Sequence, residues 1–434
     1  MTTRTINVDY IARVEGEAAL HIGLDGDRVN RVELAIFEPP RFFEALLRGR
    51  QFTEAVDITA RICGICPVAY MMSAAHAMED VCGVKIEGPI RELRRLLYCG
   101  EWIESHVLHV AMLHLPDFLG YHDAMAMAKD HPEPVQTALR IKALGNRILR
   151  ILGGREIHPI NVRVGGFYKA PARADLLALR SDIDWAIVAT QKLLQLTGTL
   201  NYPDLNVAHE LFALKHDSEY PFNEGRIAST SGVYVAIRDY ESVLAEHQVP
   251  HSTSLQTKRI NGVELPVYLG PAARLALNHQ HLTPLAREAF QRYGLENQLR
   301  NPYRNIQSRC VEVLFALEEA ARIIDNYQIP ERPYVDVEPR AGTGYGCTEA
   351  PRGSCFHRYS IDEQGLITEA KIVAPTSVNQ TAIESDLRQF VQNNLQLSDD
   401  ALREGCEHVI RNFDPCISCS AHFLKLTIDR YSAQ

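Results

Sequence analysis

The 434-residue sequence lacks a long apolar run, a basic cluster and an apolar N-terminal leader. No stretch approaches the roughly 20 uninterrupted apolar residues that a membrane-spanning helix needs. The N-terminal segment, MTTRTINVDYIARVEGEAAL, has no continuous apolar core of the kind that a secretory signal carries. The net charge is −9 and there is no long Lys/Arg run, so the sequence does not indicate a basic surface that would bind nucleic acid. We therefore expect a cytoplasmic protein with no membrane span and no nucleic-acid partner, unless another subunit carries an export signal.

A disulfide scaffold is also excluded, because ten cysteines are an ordinary number for a chain of this length. The sequence has no low-complexity segment, no repeat of fixed period and no Pro/Gly/Ser-rich linker that would divide the chain. Apolar residues make up 46% of it and charged residues 23%, which is typical of a soluble globular enzyme. The informative feature is therefore where the cysteines stand.

Two segments of the sequence predict β-hairpins. Residues 17–37 flank an Asp-Gly turn dipeptide, and residues 355–374 flank a Gln-Gly dipeptide in the same way. Between the hairpins, apolar residues recur at helical spacing, most clearly in 90–113, 174–200 and 308–329. The sequence therefore predicts a mainly helical α+β fold with small antiparallel sheets at its periphery.

Two Cys-x-x-Cys pairs are the most informative motifs, Cys63 with Cys66 and Cys416 with Cys419. One such pair could be half of a zinc site, a thioredoxin-like redox pair or chance, but two together indicate a four-thiolate metal site. Thiolates are soft ligands that suit zinc, iron–sulfur clusters or nickel. Zinc ribbons place their pairs roughly 15–20 residues apart, whereas these pairs stand near opposite ends of the chain. The separation disfavours structural zinc without eliminating it.

The residues around both pairs resemble the signature motifs of nickel–iron hydrogenase large subunits. ARICGIC contains the family's R-x-C-G-x-C motif, and DPCISCSAH contains its D-P-C-x-x-C-x-x-H motif. Further segments resemble the family through most of the chain: RVEGEAAL, RFFEALLRGR, GGREIHPINVRVGGF, GYGCTEAPRGSCFHRY and APTSVNQ. The resemblance implies the large-subunit fold as a single domain over residues 1–422. It also implies that a maturation endopeptidase removes the 423–434 extension once nickel is inserted.

In that family, four cysteines hold nickel, and two of them bridge to an iron that carries CO and CN⁻. Carried over position by position, Cys63 and Cys416 would be terminal nickel ligands, while Cys66 and Cys419 would bridge. The implied reaction is the reversible heterolytic cleavage of H2. Its proton would go first to the Cys416 sulfur and then to Glu15. The plainer interpretation of Glu15 is a solvated acid at the start of a strand.

The resemblance also implies a polar canopy over the metals, centred on Arg352. Its guanidinium would donate hydrogen bonds to a cyanide and favour polarised H2. Arg352 precedes the first arm of the 355–374 hairpin, and Thr376 and Ser377 follow the second arm, so all three fall at the same end. By resemblance, the two hydroxyls also face the diatomic ligands.

The remaining canopy residues implied by the resemblance are Pro351, Asp117 and Asp414. The two acids would orient Arg352 through its guanidinium. The competing interpretations are a surface salt bridge for Arg352 and ordinary helix capping for Asp414.

A second and harder cation is implied near the C-terminus. In the family, the positions of Glu44 and His422, with a backbone carbonyl near Ile372, bind Mg²⁺ or Fe²⁺ and tie the C-terminus to the core. A carboxylate and a carbonyl suit a hard cation, although histidine is an unusual ligand for magnesium. A purely structural histidine is the alternative for His422.

Electrons from this chain need other subunits. No cysteine set is left for an iron–sulfur cluster, and no Gly-rich nucleotide fingerprint is present. The resemblance implies an iron–sulfur small subunit and flavin- and NAD(P)-binding diaphorase subunits in an obligate hetero-oligomer. Tyr70 stands where many members have histidine. This difference favours the cytoplasmic, NAD(P)-linked or sulfhydrogenase-like branch, with NADP⁺ or NAD⁺ as the acceptor. A deazaflavin and a disulfide reductase are the alternative acceptors.

Three other functions share parts of this pattern. An H2-sensing complex would use the same centre with little turnover, and the C-terminal extension argues mildly against it. The related scaffold of respiratory complex I has lost the four cysteines, all of which are present here. A non-enzymatic protein with structural zinc is the third alternative, which metal analysis would decide.

Overall fold

The computed structural model describes residues 3–421, so His422 and the 423–434 extension lie outside the described residues. The strands of the described part are β1 (Thr3–Val8), β2 (Ala18–Asp25), β3 (Arg28–Ile36), β4 (Val162–Arg163), β5 (Gly166–Phe167), β6 (Glu210–Lys215), β7 (Arg226–Ser229), β8 (Tyr234–Val235), β9 (Leu244–His247), β10 (Gln256–Arg259), β11 (Val267–Leu269), β12 (Gly342–Ala350), β13 (Gly353–Ile361) and β14 (Ile367–Val373).

The α-helices of the same residues are α1 (Phe43–Leu47), α2 (Ala55–Thr59), α3 (Pro67–Cys82), α4 (Gly88–Leu108), α5 (Leu115–Leu119), α6 (Ala124–Asp130), α7 (Pro132–Gly153), α8 (Arg173–Leu177), α9 (Arg180–Gly198), α10 (Tyr240–Val243), α11 (Pro271–Asn278), α12 (Pro284–Arg292), α13 (Asn305–Asp325), α14 (Pro375–Asn393), α15 (Asp399–Asn412) and α16 (Ile417–Ser420). Helix is the main element, with short sheets between the helices. The mainly helical α+β class predicted from the sequence is confirmed.

The N-terminal sheet confirms the first predicted hairpin. Strands β2 and β3 pair antiparallel around Gly26, whose φ of 62° suits glycine, and β1 adds to the other edge of β2. Ala18, Leu20 and Ile22 point to one face of β2 and are buried in a cluster that α14 and α15 complete. This packing fixes the segment just before β2, which carries Glu15, against the body of the protein.

The long helix α4 lies at the centre of the helical body and packs against α7 and α13. It approaches α7 closely where Gly100 faces Gly145, because a Cβ on Gly145 would lie 2.7 Å from the Gly100 carbonyl oxygen. It continues into a π-helical segment, His109–His114, a distortion that is frequent at functional sites. The three helical regions predicted from the sequence are confirmed, the first as α4 with this extension, the second as α8 and α9, and the third as α13.

The second predicted hairpin is present as β13 and β14, and β12 pairs with the other edge of β13. The prediction that the sheets are peripheral is wrong for this one, because β12 and β13 are largely buried and α3 packs on them. Glycines explain the difference. A Cβ on Gly344 would lie 2.0 Å from the Ala77 carbonyl oxygen, and one on Gly346 would lie 2.1 Å from the Ser73 carbonyl oxygen. Helix α3 therefore rests directly on the backbone of β12.

A further sheet departs from the purely antiparallel prediction. Strands β6, β7 and β8 are antiparallel, but β11 joins the free edge of β6 in parallel. The long connection between β6 and β11 permits this pairing, which a tight hairpin turn does not. Within residues 3–421, no helix combines the length and the apolar character needed to cross a membrane.

Candidate metal centre

The fold brings the two distant cysteine pairs together. The Sγ atoms of Cys63 and Cys416 lie 3.5 Å apart, and those of Cys66 and Cys419 lie 3.7 Å apart. All four sulfurs lie within 4.8 Å of one another, and all four residues are buried. In the part of the chain that the structure describes, this is the one cluster of three or more His, Cys, Asp or Glu side chains with metal-binding spacing. The four-thiolate site predicted from the sequence is thus assembled.

The N-terminal pair lies in a turn between a 3₁₀ segment, Ala60–Ile62, and the first residue of α3, Pro67. Proline suits this first helical position, since it lacks an N–H that would otherwise need a partner. The backbone N–H groups of Ile65 and Cys66 both donate to the Cys63 sulfur at 3.3 Å. Hydrogen bonds from the neighbouring thiols, Cys416 first, hold the pKa of Cys63 well below its usual value.

The C-terminal pair follows a strained backbone position, Asp414, whose φ is 53°. The Cys416 N–H donates to the Thr376 hydroxyl at 3.0 Å, and the Ile417 N–H donates to the Glu15 carbonyl at 2.9 Å. Glycine is required at position 16, because a Cβ there would lie 2.7 Å from that of Ile417. Burial raises the pKa of the Cys416 thiol well above its usual value.

Glu15 lies where the sequence predicted, beside Cys416. The Cys416 thiol donates to Glu15 Oε2 at 3.0 Å, and the Ser418 N–H donates to the same oxygen at 3.1 Å. The Glu15 side chain is half-buried. A carboxylate at hydrogen-bonding distance from a buried thiol can take a proton from it and pass that proton towards the surface.

Arg352 is buried next to the cysteines, on the turn between β12 and β13. Its Nε donates to the Asp414 carbonyl at 2.6 Å, its Nη2 to Asp414 Oδ1 at 3.0 Å, and its Nη1 to the Ser105 hydroxyl at 3.5 Å. Burial disfavours its charge, but Asp414 and the nearby thiolates outweigh burial and raise the pKa of Arg352 well above its usual value. The surface and helix-capping interpretations of Arg352 and Asp414 do not fit these contacts.

The expectation that Asp117 orients Arg352 is wrong. Asp117 accepts from Arg411 Nε at 2.7 Å and from Arg411 Nη2 at 2.8 Å, and it also bonds to Arg13. No described contact joins Asp117 to Arg352. The reason is positional, since α5 places Asp117 against the segment that carries Glu15. Asp117 therefore supports that segment, while Asp414 alone of the two acids holds Arg352.

Glu44 and Ile372 are adjacent, as the implied cation site requires. The Ile372 N–H donates to Glu44 Oε1 at 2.7 Å. Burial raises the pKa of Glu44 to about 6. The third member of the predicted set, His422, lies outside the described residues.

Comparison with known proteins decides the family. The sequence model described as nickel-dependent hydrogenase matches residues 41–137 and 264–422, which include both cysteine pairs. The chain belongs to the nickel-dependent hydrogenase family. This confirms the resemblance that the cysteine motifs carried.

Two curated relatives and one solved structure match this hydrogenase subunit over nearly its whole length. Sulfhydrogenase 1 subunit alpha of Pyrococcus furiosus is 32% identical over 97% of this chain and 98% of its own. NAD-reducing hydrogenase HoxS subunit beta of Cupriavidus necator is 25% identical over 97% of this chain and 95% of its own. A crystal structure of an NAD⁺-reducing [NiFe]-hydrogenase in the H2-reduced state superposes with a TM-score of 0.88 at 25% identity, covering 96% and 99% of the two chains. The large-subunit fold is confirmed, and the curated relatives are subunits of multi-subunit enzymes.

The residues of this hydrogenase subunit fit a nickel-containing centre. Four buried thiolates are the soft ligands that nickel accepts, and two sulfurs from different pairs can serve two metals at once. A buried cationic Arg352 next to the four sulfurs offsets the negative charge that such a ligand set accumulates. The donor set and its surroundings are therefore consistent with a nickel–iron pair.

Arg41, which was not predicted from the sequence as a site residue, ties the two cysteine segments together. One Arg41 nitrogen donates to the Ile62 carbonyl at 2.7 Å and also to the Ser418 carbonyl, and the Arg41 N–H donates to the Ala421 carbonyl at 2.9 Å. Arg41 stands in the RFFEALLRGR segment that resembles the family. That resemblance was the one feature of the sequence that could have indicated its importance. Its role depends on contacts that no local pattern records.

Proposed function

We propose that this hydrogenase subunit cleaves and forms H2 at a nickel–iron centre whose iron carries CO and CN⁻. Cys63 and Cys416 would bind nickel alone, and Cys66 and Cys419 would bridge to iron. When bound, the centre polarises H2 and takes up its electrons. The observation that carries the proposal is the contact of the Cys416 thiol with Glu15, inside a buried four-thiolate set.

Proton transfer then follows from the chain's own residues. A proton on the Cys416 sulfur crosses the 3.0 Å hydrogen bond to Glu15 Oε2. The Ser418 N–H stabilises the carboxylate that receives it. Because Glu15 is half-buried, it links the enclosed thiols with the outer part of the protein. The same steps in reverse supply protons for H2 formation.

Arg352 provides positive charge next to the reacting atoms. The guanidinium would donate to a cyanide and stabilise charge separation in H2, with Pro351, Thr376 and Ser377 lining the same region. Asp414 fixes its direction through the two hydrogen bonds described above. We assign Asp117 an indirect role, because its ion pairs with Arg13 and Arg411 hold the segment that carries Glu15.

We further propose a Mg²⁺ or Fe²⁺ ion bound by Glu44, the Ile372 carbonyl and His422. The contact between Glu44 and the Ile372 backbone supports the proposal. Residues 1–422 would form the mature single domain, and a maturation endopeptidase would remove residues 423–434 after nickel insertion. The family match ends at residue 422, next to the proposed cleavage point.

The electrons would pass to an iron–sulfur small subunit that docks around Gly64. This glycine is exposed although it stands between two buried cysteines, so a partner can approach the centre closely there. Ile157, Ile160 and Tyr168 are more than half exposed, and Ile157 lies beside Gly64. Exposed apolar residues at such a place are typical of a protein interface. Flavin- and NAD(P)-binding subunits would then reduce NADP⁺ or NAD⁺, and we propose a cytoplasmic complex.

Metal analysis and infrared absorption of the complex, co-expressed with its maturation machinery, test the proposed centre. We expect about one nickel and one iron in the four-cysteine site, sharp CO and CN⁻ stretches, and H2-dependent dye reduction. Zinc in that site without such stretches, in fully processed protein, would contradict the proposal and favour a structural zinc protein.

A further inference from the structure

Arg274, on α11, is a fully buried arginine whose five N–H groups all have acceptors. Nε and Nη2 donate to the two carboxylate oxygens of Glu312, each at 2.7 Å. Nη1 donates to Glu349 Oε2 at 3.0 Å and to the Ala350 carbonyl at 2.9 Å, and Nη2 donates to the Pro351 carbonyl at 2.9 Å. Such a complete set fixes the guanidinium in one position.

Two of these acceptors are the backbone carbonyls immediately before Arg352. They belong to the tight turn between β12 and β13, which continues into Gly353 with a φ of 132°. Without Arg274, two buried carbonyls of this turn would lose a charged donor, and leaving a buried acceptor without its donor is unfavourable. The fork of Arg274 therefore determines where the turn lies, and the turn carries Arg352.

Arg274 is itself held in place by the residues around it, chiefly Glu312 and Trp102. Glu312 also accepts from the Tyr220 hydroxyl at 2.7 Å and lies 3.0 Å from His106 Nε2. Despite its burial, Glu312 has a pKa lowered to about 2, with Arg274 the largest cause of the lowering. The Arg274 guanidinium lies 4.3 Å from the centre of the Trp102 ring.

Stability alone is a poor explanation for this cluster. Well-packed apolar side chains are often as stabilising as a buried ion pair of similar volume. A planar fork that reaches two successive carbonyls, in contrast, gives positional definition that an apolar side chain does not offer. The cluster is therefore suited to fixing the turn between β12 and β13 in one position.

We propose that Arg274 is a positioning residue that fixes Arg352 over the four cysteine sulfurs. The proposal rests on the function proposed above for Arg352. Arg274 touches none of the site cysteines in the described structure and acts through the Ala350–Pro351 backbone. Lysine at position 274 would keep the charge but lose the fork, so the turn and Arg352 would shift.

A double-mutant cycle with R274K and R352K tests the proposal in the assembled holoenzyme. We expect R352K to slow H2 oxidation about 10²–10³-fold and R274K about 10–100-fold, because small displacements of a positioned group are costly. The double variant should be about as slow as R352K alone, since both changes remove one function. The CN⁻ and CO stretches should shift in R274K in the same direction as in R352K.

R94K is the matched control, because Arg94 is equally buried and also pairs with a carboxylate. Its two terminal nitrogens donate to the two oxygens of Glu79 at 2.6 and 2.8 Å, and this pair lies away from the turn that carries Arg352. R94K should leave the infrared bands unshifted at full nickel content. The proposal would be overturned if the rate losses of R274K and R352K multiplied in the double variant, or if the infrared bands of R274K were unshifted. If R274K does not fold, E312Q removes the charge that holds Arg274 and should give the same band shift. A normal rate and unshifted bands in fully loaded R352K would instead refute the role of Arg352 itself.

Discussion

The two cysteine pairs share one spacing but have different surroundings. At the N-terminal pair, backbone N–H groups donate to Cys63, and the buried carboxylate of Glu101 accepts from the Val68 N–H at 2.7 Å, capping α3. At the C-terminal pair, the Cys416 thiol itself donates to a half-buried carboxylate, that of Glu15. The carboxyl of Glu101 thus accepts from the backbone, whereas the carboxylate of Glu15 accepts from a sulfur.

Under the proposed function, this difference would separate holding a metal from exchanging a proton. N–H donors stabilise a thiolate, so the N-terminal pair is suited to binding a metal. A carboxylate that accepts from a thiol can take its proton, so we propose that the C-terminal pair both binds the metal and transfers protons. An identical Cys-x-x-Cys spacing therefore does not imply an identical role.

The largest expected effect comes from removing a cysteine ligand, because metal binding is what both pairs share in the proposal. C63S and C416S should each reduce nickel in the purified complex to background and abolish H2 oxidation, since hydroxyl groups are poor ligands for a soft site. C310S is the control, because Cys310 is buried in α13 away from the centre. Nickel retained in either site variant at the level of C310S would contradict the assignment of that pair as ligands.

A smaller effect concerns the buried acids beside the N-terminal pair. Burial raises the pKa of Glu104 to about 7, which Lys142 at 3.0 Å only partly offsets. Because the folded pKa lies above the unfolded one, the protonated acid favours folding, and this stability is fully present below about pH 4.5. It is lost as the pH rises through about 7, and the loss amounts to about 3 kcal/mol.

Denaturant unfolding of the wild type and E104Q at about pH 5 and about pH 8 measures this loss. The free energy of unfolding of the wild type, relative to E104Q, should fall with rising pH, since glutamine does not titrate. Parallel pH dependences of the two proteins would show that Glu104 is not a buried, neutral acid near pH 6. The arrangement at the N-terminal pair would then be less distinct from that at the C-terminal pair.

The sequence predicted what local patterns and motifs record. Apolar periodicity revealed the long helices, turn dipeptides revealed two hairpins, and the motifs revealed the four cysteines together with Glu15 and Arg352. The burial of β12 under α3 was missed, because Gly344 and Gly346 indicate a close approach only once the facing helix is known. A glycine-rich strand does not by itself show which helix packs on it.

Ion-pair partners were the least predictable part of the site. The resemblance assigned Asp117 to Arg352, but a carboxylate pairs with whichever guanidinium the fold brings to it, and here those belong to Arg13 and Arg411. Arg41 and Arg274 were missed for the same reason, since both act on backbone carbonyls far away in sequence. Such contacts depend on tertiary packing, which a single sequence does not display.

Isotope exchange between D2 and water, measured in nickel-loaded E15Q and E101Q, tests the contrast between the pairs most directly. Glutamine at position 101 can still accept from the Val68 N–H, so E101Q keeps the helix cap while removing the acid. We expect exchange to fall about 10²–10⁴-fold in E15Q and to stay near the wild-type rate in E101Q. Wild-type exchange in E15Q together with a comparable loss in E101Q would place proton transfer at the N-terminal pair and contradict this account.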